Sequence, residues 1–364
     1  MAFTQVIAVF YSLIDVIGLP GNLLVFVTIA LMSRLHKMRY ILLASLALSD
    51  ILFLILVNSF RIPSIAQERW LHGEFMCHFN SSLGKYFYLN TVLHLVAMSY
   101  DRYNAIVKSP LTYNGLMTKS KIVVLVLIWV APISGGIGLF VGGEKHSYNP
   151  AVFYCEQEWL APSASSRLRT IIFTVLLIML FFSVAYFNGA VYKTAKTKIH
   201  ALQAQIGGHD DPAETAENKK KEMRRSLNER KAAIDVLIII TAFFLCYLPT
   251  LALSLFRRFI KGNVSAEVVH VTTCIFMAST VCNPLIYSIR KRDFRAGVKD
   301  LLRRFVPYGR SNDNEVTVIS LRATVGRENS NLVVEELYPQ QRVSLSPIPE
   351  LIVGNINQDN IGSI

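Results

Sequence analysis

Residues 98–107 read MSYDRYNAIV, and they directly follow an apolar stretch, YFYLNTVLHLVA, at residues 86–97. An acid and an arginine, Asp101 and Arg102, therefore stand side by side between apolar residues. Burying such a pair is unfavourable in the core of a soluble protein, and it is more unfavourable in the interior of a membrane. Whether this stretch lies in a soluble core or at the end of a membrane span decides the class of fold.

The composition favours a membrane protein. Of the 364 residues, 52% are hydrophobic and 17% are charged, whereas ordinary soluble proteins have about 25% charged residues. A helix that spans a bilayer needs about 20 apolar residues. Seven candidate spans, joined by short polar segments, lie at roughly 4–33, 40–66, 78–107, 120–142, 168–198, 230–258 and 266–290. The sequence therefore predicts an all-α membrane protein, a seven-transmembrane helix bundle over residues 1–305.

Basic residues indicate the orientation of the bundle. They concentrate after alternate spans, as in SRLHKMR at 33–39, KKKEMRR at 219–225 and RKRDFR at 290–295. Because such residues mark the cytoplasmic side, we expect an outer N-terminus and a cytoplasmic C-terminus in the plasma membrane. The same bias accounts for the net charge of +12. A nucleic-acid partner is the weaker interpretation, since the basic runs flank apolar spans.

Polar residues inside the spans are functional candidates because their burial in lipid is costly. Asp50 is the only acid in the second span, and Asn22 and Asn283 are polar residues at similar depth. The alternative for Asp50 is a structural acid whose oxygens bond to neighbouring hydroxyl groups. Pro249 and Pro284 interrupt two spans, and each frees a backbone carbonyl and kinks its helix.

Several motifs identify a family by resemblance. They are DRY at 101–103, NPLIY at 283–287, CYLP at 246–249, LASLALSD at 43–50, GN at 21–22, Trp129, and WLHGEFMC at 70–77. In this order on seven spans, they resemble rhodopsin-like (class A) G-protein-coupled receptors over about residues 10–305.

The resemblance implies an activation switch that binds a heterotrimeric G protein. Arg102 would pair with Glu229 at the foot of the sixth helix at rest and be released on activation. The alternative is a surface ion pair, worth about 0–1 kcal/mol. The further switch residues implied by the resemblance are Asp101, Tyr103, Tyr192, Tyr247, Pro249, Asn283, Pro284 and Tyr287.

The resemblance also limits the cofactors. It implies a pocket for an allosteric sodium ion, formed by Asp50, Asn22, Thr91, Ser279 and Asn283, with Ser279 where asparagine is more usual. Retinal is not expected, because Met277 stands where opsins have lysine. An amine ligand is not expected either, because Gly84 stands where amine receptors have aspartate. No pattern typical of an enzyme is present.

Two cysteines lie on the predicted outer side. Cys77 opens the third span and Cys155 lies in the second outer loop, where disulfides persist, so we predict that they are bonded. The remaining cysteines, Cys246, Cys274 and Cys282, lie within spans.

The second outer loop suggests a class of ligand. It reads FYCEQEWLAP at 153–162, and its C-x-x-acid-W pattern resembles the β-hairpin of many neuropeptide receptors. A short peptide is the first expectation, and an acidic or lipid-like small molecule is the second. The candidate pocket residues are Gly84, Lys85, Tyr88, Trp159, Tyr247, Arg257, Thr273 and Met277. In the alternative interpretation, Trp159 only packs the loop and Lys85 extends towards the outer surface.

The remaining segments carry weaker signals. Asn263 begins a glycosylation sequon in the third outer loop, with a helix cap as the alternative, whereas a second sequon at Asn80 should be inaccessible inside the bundle. Residues 290–305 alternate apolar and basic residues and predict an amphipathic helix on the inner membrane face. Residues 306–364 predict a disordered cytoplasmic tail that, once phosphorylated, would bind an arrestin-like partner.

Two other classes of function compete with the receptor. A transporter or channel predicts repeated halves and several ionisable residues in the core, but Asp50 is the only one that we place deep in a span. A signalling-silent scaffold is opposed by the intact switch residues. A G-protein activation assay distinguishes the three.

Overall fold

The computed structural model describes residues 2–108, 113, 115–141, 146–149, 153–157, 164–206, 238, 241–253, 255–256, 264–290, 292–305, 325–328 and 331–334. The chain divides into two units, Met1–Val306 and Pro307–Ile364. The helices of the first unit are α1 Ala2–Leu31, α2 Met38–Phe53, α3 Ser59–Ala66, α4 Gly73–Tyr103, α5 Lys119–Val141, α6 Ala164–Ile206, α7 Thr241–Leu253, α8 Ala266–Arg290 and α9 Arg292–Phe305.

The helices follow the predicted spans. A π-helical turn at Leu54–Asn58 joins α2 to α3, so that the two form one span. Helix α6 continues to Ile206, past the predicted end at residue 198, because the segment IHALQAQI at 199–206 is rich in residues with high helix propensity. Among the described residues, four stretches are long and apolar enough to cross a membrane, namely Phe3–Leu31, Met38–Ala66, Thr174–Thr197 and Ala266–Ile289.

The helices pack around α4 and α1. Helix α4 contacts α2, α5 and α6, whereas α1 contacts α2 and α8. Val25, Leu46 and Leu95 are buried between these helices. Large apolar side chains such as Phe182 and Ile289 remain exposed, which costs nothing in a bilayer because lipid tails are as apolar as leucine.

Helix α1 supplies the bond that proline removes from α8. Pro284 has no N–H, so the carbonyl of Thr280, four residues earlier, loses its helical donor. The Asn22 side-chain amide donates to this carbonyl over 2.9 Å. The two helices can approach because Gly21 has no side chain: a Cβ there would lie 3.0 Å from Pro284 Cγ. Gly21 thus lets α1 and α8 approach closely, and Asn22 supplies the hydrogen bond that the Thr280 carbonyl would otherwise lack.

The same compensation occurs between α4 and α5. Pro132 lies inside α5 and deprives the Ile128 carbonyl of its donor. The Asn90 side chain of α4 donates to that carbonyl over 3.0 Å. Asn22 and Asn90 therefore each donate a hydrogen bond to a backbone carbonyl, which lipid tails cannot do.

A short hairpin lies between α5 and α6. Strands β1 His146–Asn149 and β2 Tyr154–Gln157 pair antiparallel, with Tyr148 opposite Cys155. The predicted hairpin is thus present, and the predicted disulfide joins Cys77 of α4 to Cys155 with a Cα–Cα distance of 5.3 Å.

Helix α9 has the predicted amphipathic character. Phe294 and Leu301 are buried against the bundle, whereas Leu302 is exposed. A Cβ at Gly297 would lie 3.0 Å from Thr28 Cγ2 of α1, so the glycine permits close contact between the two helices.

The second unit contains two described strands. β3 Val325–Glu328 and β4 Asn331–Val334 pair antiparallel, with Gly326 opposite Val333. Over these strands the structure differs from the predicted tail without regular structure. Their valines have branched side chains that favour extended backbone.

Candidate functional site

The DRY motif forms a buried polar cluster at the C-terminal end of α4. Arg102 Nη2 lies 2.6 Å from Asp101 Oδ2, and the two side chains are only 8% and 5% exposed. The Asp101–Arg102 pair is therefore buried and not a surface ion pair. The other oxygen of Asp101 accepts a hydrogen bond from the Tyr113 hydroxyl at 2.5 Å. Burial, and then the bond to Asp101, raise the pKa of Tyr113, so the hydroxyl remains a donor at neutral pH.

The other predicted switch residues lie in different surroundings. The Tyr103 ring is 5.3 Å from the ring of Phe187 on α6, and Tyr287 is buried. Tyr192, in contrast, is 55% exposed, so the structure does not bring it into the buried cluster. Glu229, the predicted tether of Arg102, lies outside the described residues.

A second polar site lies at the centre of the bundle. Asp50 is buried, and its Oδ2 accepts a hydrogen bond from Asn283 Nδ2 at 3.1 Å. This bond joins α2 to α8, one turn from the place where Asn22 bonds to the Thr280 carbonyl. Thr91 donates to the carbonyl of Phe87 in its own helix at 3.0 Å.

Tyr247 reaches this central site from α7. Its side chain hydrogen-bonds with Thr91 and Ser279, two of the residues predicted to surround sodium. Tyr247 thus supplies a hydroxyl group to the central site. Its ring stacks on Phe243 with centroids 3.7 Å apart and lies 5.0 Å from the ring of Tyr88. Tyr247 therefore connects the central site to the predicted ligand pocket.

The donor set at the centre suits a hard cation, which prefers oxygen ligands. Asp50 provides a carboxylate. Two buried oxygens have no hydrogen-bond partner among the described residues, namely Ser49 Oγ, next to Asp50 in the chain, and Asn22 Oδ1, whose side-chain amide bonds to the Thr280 carbonyl. Across the described part of the chain, no group of three or more His, Cys, Asp or Glu side chains could hold a metal ion. The residues at the centre are oxygen donors, the kind of ligand that a sodium ion would take.

The end of the bundle next to the hairpin contains a buried cation that the sequence patterns did not indicate. Arg61 of α3 is 8% exposed, and its guanidinium Cζ lies 4.6 Å from the centroid of the Tyr154 ring. Asp15, in α1, accepts a 2.5 Å hydrogen bond from Asn58. The prediction that Asp50 is the only ionisable residue deep in a span is therefore wrong.

A sequence signal for Arg61 was available. Arg61 follows Asp50 by about three helical turns, so an uninterrupted helix would place the two on one face. Asp50 was singled out because it is a charged residue in an apolar span, and the same criterion applies to Arg61.

The predicted pocket residues are only partly described. Tyr88 packs near Tyr247, Lys85 is half-buried, and Thr273 and Met277 are buried on α8. Gly84 faces Arg61, since a Cβ there would lie 3.3 Å from Arg61 Nη2. Three predicted residues, namely Trp159, Arg257 and Asn263, lie outside the described part. Asn80 is buried, which confirms that its sequon is inaccessible.

Comparison with known proteins assigns these features to one family. The family model described as 7 transmembrane receptor (rhodopsin family) matches residues 21–287. The 5-hydroxytryptamine receptor 4 of Homo sapiens is 28% identical over 305 residues, which cover 80% of this chain and 77% of that protein. The octopamine receptor beta-1R of Drosophila melanogaster is 25% identical and covers 81% of this chain, which spans only 62% of that receptor's length.

A solved structure agrees with the fold. Squid rhodopsin superposes with a TM-score of 0.70 at 18% identity, covering 86% of this chain and 89% of that one. At this identity the similarity shows a common seven-helix architecture and does not transfer a ligand.

Proposed function

Because the chain belongs to the rhodopsin family of seven-transmembrane receptors, we propose that it is a ligand-activated receptor that carries an extracellular signal to a heterotrimeric G protein. Its fold is that of a multi-pass protein of the plasma membrane, and members of this family are receptors and not enzymes. An outer N-terminus and a cytoplasmic tail belong to the proposal, and the basic segments after alternate spans support them.

The buried Asp101–Arg102 pair carries the signalling part of the proposal. An arginine held by a 2.6 Å bond at the end of α4 is a charged group that a small movement of neighbouring helices can expose. In the resting receptor, Asp101 and Glu229 hold Arg102. When α7 moves away from α4, Arg102 loses the Glu229 tether and becomes available to the G protein. An element with two states needs a difference of only a few kcal/mol between them.

Two substitutions test this switch. Arg102→Ala should abolish agonist-stimulated and basal nucleotide exchange, because the G protein loses its contact. Glu229→Ala should raise basal exchange severalfold, because a tether that holds the resting state is removed. Nucleotide exchange on purified G proteins is measured in membranes that contain equal amounts of each variant.

Arg34→Ala is the matched control, because Arg34 is also a basic residue of the proposed inner side but pairs with Asp300 at 2.9 Å on the surface. It should leave exchange unchanged. Signalling by Arg102→Ala together with unchanged basal exchange in Glu229→Ala would contradict the proposed mechanism.

A short peptide remains the first proposal for the ligand. The hairpin of β1 and β2, tied to α4 by the Cys77–Cys155 bond, supports it, since a hairpin at the edge of a pocket leaves room for an extended chain. An acidic or lipid-like small molecule remains the second proposal.

An amine is a further candidate, because the names of the relatives refer to octopamine and 5-hydroxytryptamine. An ammonium group buried in a pocket needs a carboxylate beside it. The structure offers the opposite charge at the matching position, where Gly84 faces the guanidinium of Arg61. The pocket chemistry therefore favours an acidic ligand group over an amine.

A further inference from the structure

Arg61 is a buried cation without an acidic partner in the described structure. It lies on α3 in the outer half of the bundle and is 8% exposed. The ion pairs among the described residues do not include it, and its Nε has no hydrogen-bond partner there. A buried charge without a partner is strongly unfavourable. Such a residue in a membrane span marks a functional site by default.

Aromatic contact stabilises the guanidinium only in part. The Tyr154 ring lies 4.6 Å from Arg61 Cζ, which is within the range of a cation–π interaction. That interaction provides no oxygen acceptor for the N–H donors of the guanidinium. The donors form a rigid fork that matches the two oxygens of a carboxylate.

A glycine of α4 faces these donors closely. A Cβ at Gly84 would lie 3.3 Å from Arg61 Nη2 and 3.8 Å from Val57 Cγ1. Any side chain at position 84 would therefore crowd the guanidinium. An aspartate there would place its own carboxylate on Arg61.

The hairpin forms one wall of this site. Tyr154 belongs to β2, next to Cys155, which is bonded to Cys77 at the outer end of α4. The disulfide thus fixes the ring over Arg61, so that the guanidinium lies between the extracellular loop and the helical bundle. An extracellular ligand that enters the bundle here meets the guanidinium.

We propose that Arg61 binds a carboxylate group of the receptor's ligand beside Gly84, where any other residue would crowd the guanidinium. This inference rests on the proposed receptor function and specifies its ligand class. The carboxylate belongs either to a small organic acid or to the C-terminus of a short peptide, and the guanidinium recognises both in the same way.

Matched probes test the proposal by direct binding to the purified full-length receptor, without G protein. The small probes are indole-3-acetate, indole-3-acetamide and tryptamine, which share a ring system and differ in the end group. The peptide probes are a random pentapeptide library with free C-terminal carboxylates and the same library with C-terminal amides. Binding is measured from the concentration dependence of the receptor's melting temperature.

We expect an acid probe to bind the wild-type receptor at least about tenfold more tightly than its amide, a difference of about 1.4 kcal/mol. Tighter binding of indole-3-acetate than of indole-3-acetamide identifies a small organic acid as the source of the carboxylate. If only the peptide library binds more tightly as the acid than as the amide, the source is a peptide C-terminus. Arg61→Gln should abolish the preference for acid over amide, and Arg61→Lys should retain part of it. Gly84→Asp should also abolish the preference for acid over amide, because its own carboxylate would pair with Arg61.

Arg69→Gln is the control, because Arg69 is an exposed arginine in the loop after α3 and should leave the preference intact. Gly84→Asp keeps the proposal testable if Arg61→Gln does not fold. Equal binding of acids and amides, including no binding by either, overturns the proposal, as does unchanged acid binding in Arg61→Gln.

The measurement is independent of signalling. Acid binding without nucleotide exchange would contradict the receptor function and leave the site intact. Exchange that responds to tryptamine while acids do not bind would support the receptor function and refute the site.

Discussion

The carboxylate of Asp101 shows how much one buried residue depends on its partners. One oxygen lies 2.6 Å from Arg102 and the other accepts a 2.5 Å bond from Tyr113. Both partners are needed, because a buried acceptor that loses its donor costs about 1–3 kcal/mol. Tyr113 lies in the loop after α4, so this loop residue holds the DRY motif in place.

Tyr113→Phe should therefore destabilise the receptor by about 1–3 kcal/mol at neutral pH, because Asp101 Oδ1 loses its donor. The melting temperature of the detergent-solubilised receptor measures the effect. Tyr186→Phe is the control, since Tyr186 is an exposed tyrosine on α6. Equal melting temperatures of wild type and Tyr113→Phe would show that the bond contributes nothing.

The difference in stability between the wild type and Tyr113→Phe should also depend on pH. The pKa of Tyr113 is raised above the ordinary value of 10.0 by burial and by Asp101. The contribution of the Tyr113 hydroxyl to the stability of the folded receptor is therefore fully present below about pH 10. It declines above that pH, where the unfolded chain releases the phenolic proton and the folded chain does not.

At the scale of elements, side chains replace backbone bonds that proline removes. Asn22 bonds to the carbonyl freed by Pro284, and Asn90 bonds to the carbonyl freed by Pro132. Helix–helix contacts in a membrane have no hydrophobic driving force, so such polar bonds help to specify which helices are neighbours. At the outer end, a covalent bond serves that purpose between α4 and β2.

Removal of that covalent bond should loosen the hairpin. The double substitution Cys77→Ser with Cys155→Ser should lower the free energy of unfolding by about 2–4 kcal/mol, because the bond no longer restricts the unfolded chain. Melting temperature and the amount of receptor at the cell surface are measured together.

Cys274→Ser is the control for the loss of sulfur, because Cys274 is a free cysteine on α8. It should have little effect on either measurement. A double variant as stable as the wild type would mean that packing alone holds the hairpin.

At the scale of the whole bundle, three polar sites follow one another from the end that carries the hairpin to the opposite end. Arg61 lies beside the hairpin, Asp50 lies at the centre and Arg102 lies at the C-terminal end of α4. Tyr247 connects the central site to Tyr88 of the predicted ligand pocket, because its ring packs near Tyr88 and its side chain hydrogen-bonds with Thr91 and Ser279. A ligand that displaces Tyr247 therefore acts on the central site through direct contact.

A sodium ion at Asp50 should stabilise the resting receptor. Replacing sodium chloride with choline chloride should raise basal nucleotide exchange in the wild type, because the central site loses its cation. Asp50→Asn should remove this response, since an amide does not neutralise the ion. Exchange is measured at constant ionic strength.

Asp15→Asn is the matched control, because Asp15 is another acid within a span whose carboxylate bonds to an asparagine. It should retain the sodium response. A response that persists in Asp50→Asn would show that sodium acts elsewhere.

The sequence by itself determined the features that depend on local composition. The lengths of the apolar runs predicted α1, the α2–α3 span and α8, because a bilayer requires about 20 apolar residues whatever the neighbouring helices are. The alternation of basic and apolar residues predicted α9. The sides of the membrane assigned to Cys77 and Cys155 predicted their bond, because only two cysteines faced the oxidising side.

Only the tertiary structure decided which polar side chains meet. Tyr113 bonds to Asp101, Asn22 bonds to the Thr280 carbonyl, and Arg61 lies between Tyr154 and Gly84. Such contacts depend on how each helix is rotated and how closely it approaches its neighbours. Side-chain packing between segments distant in the chain sets that rotation, and no local pattern of residues encodes it.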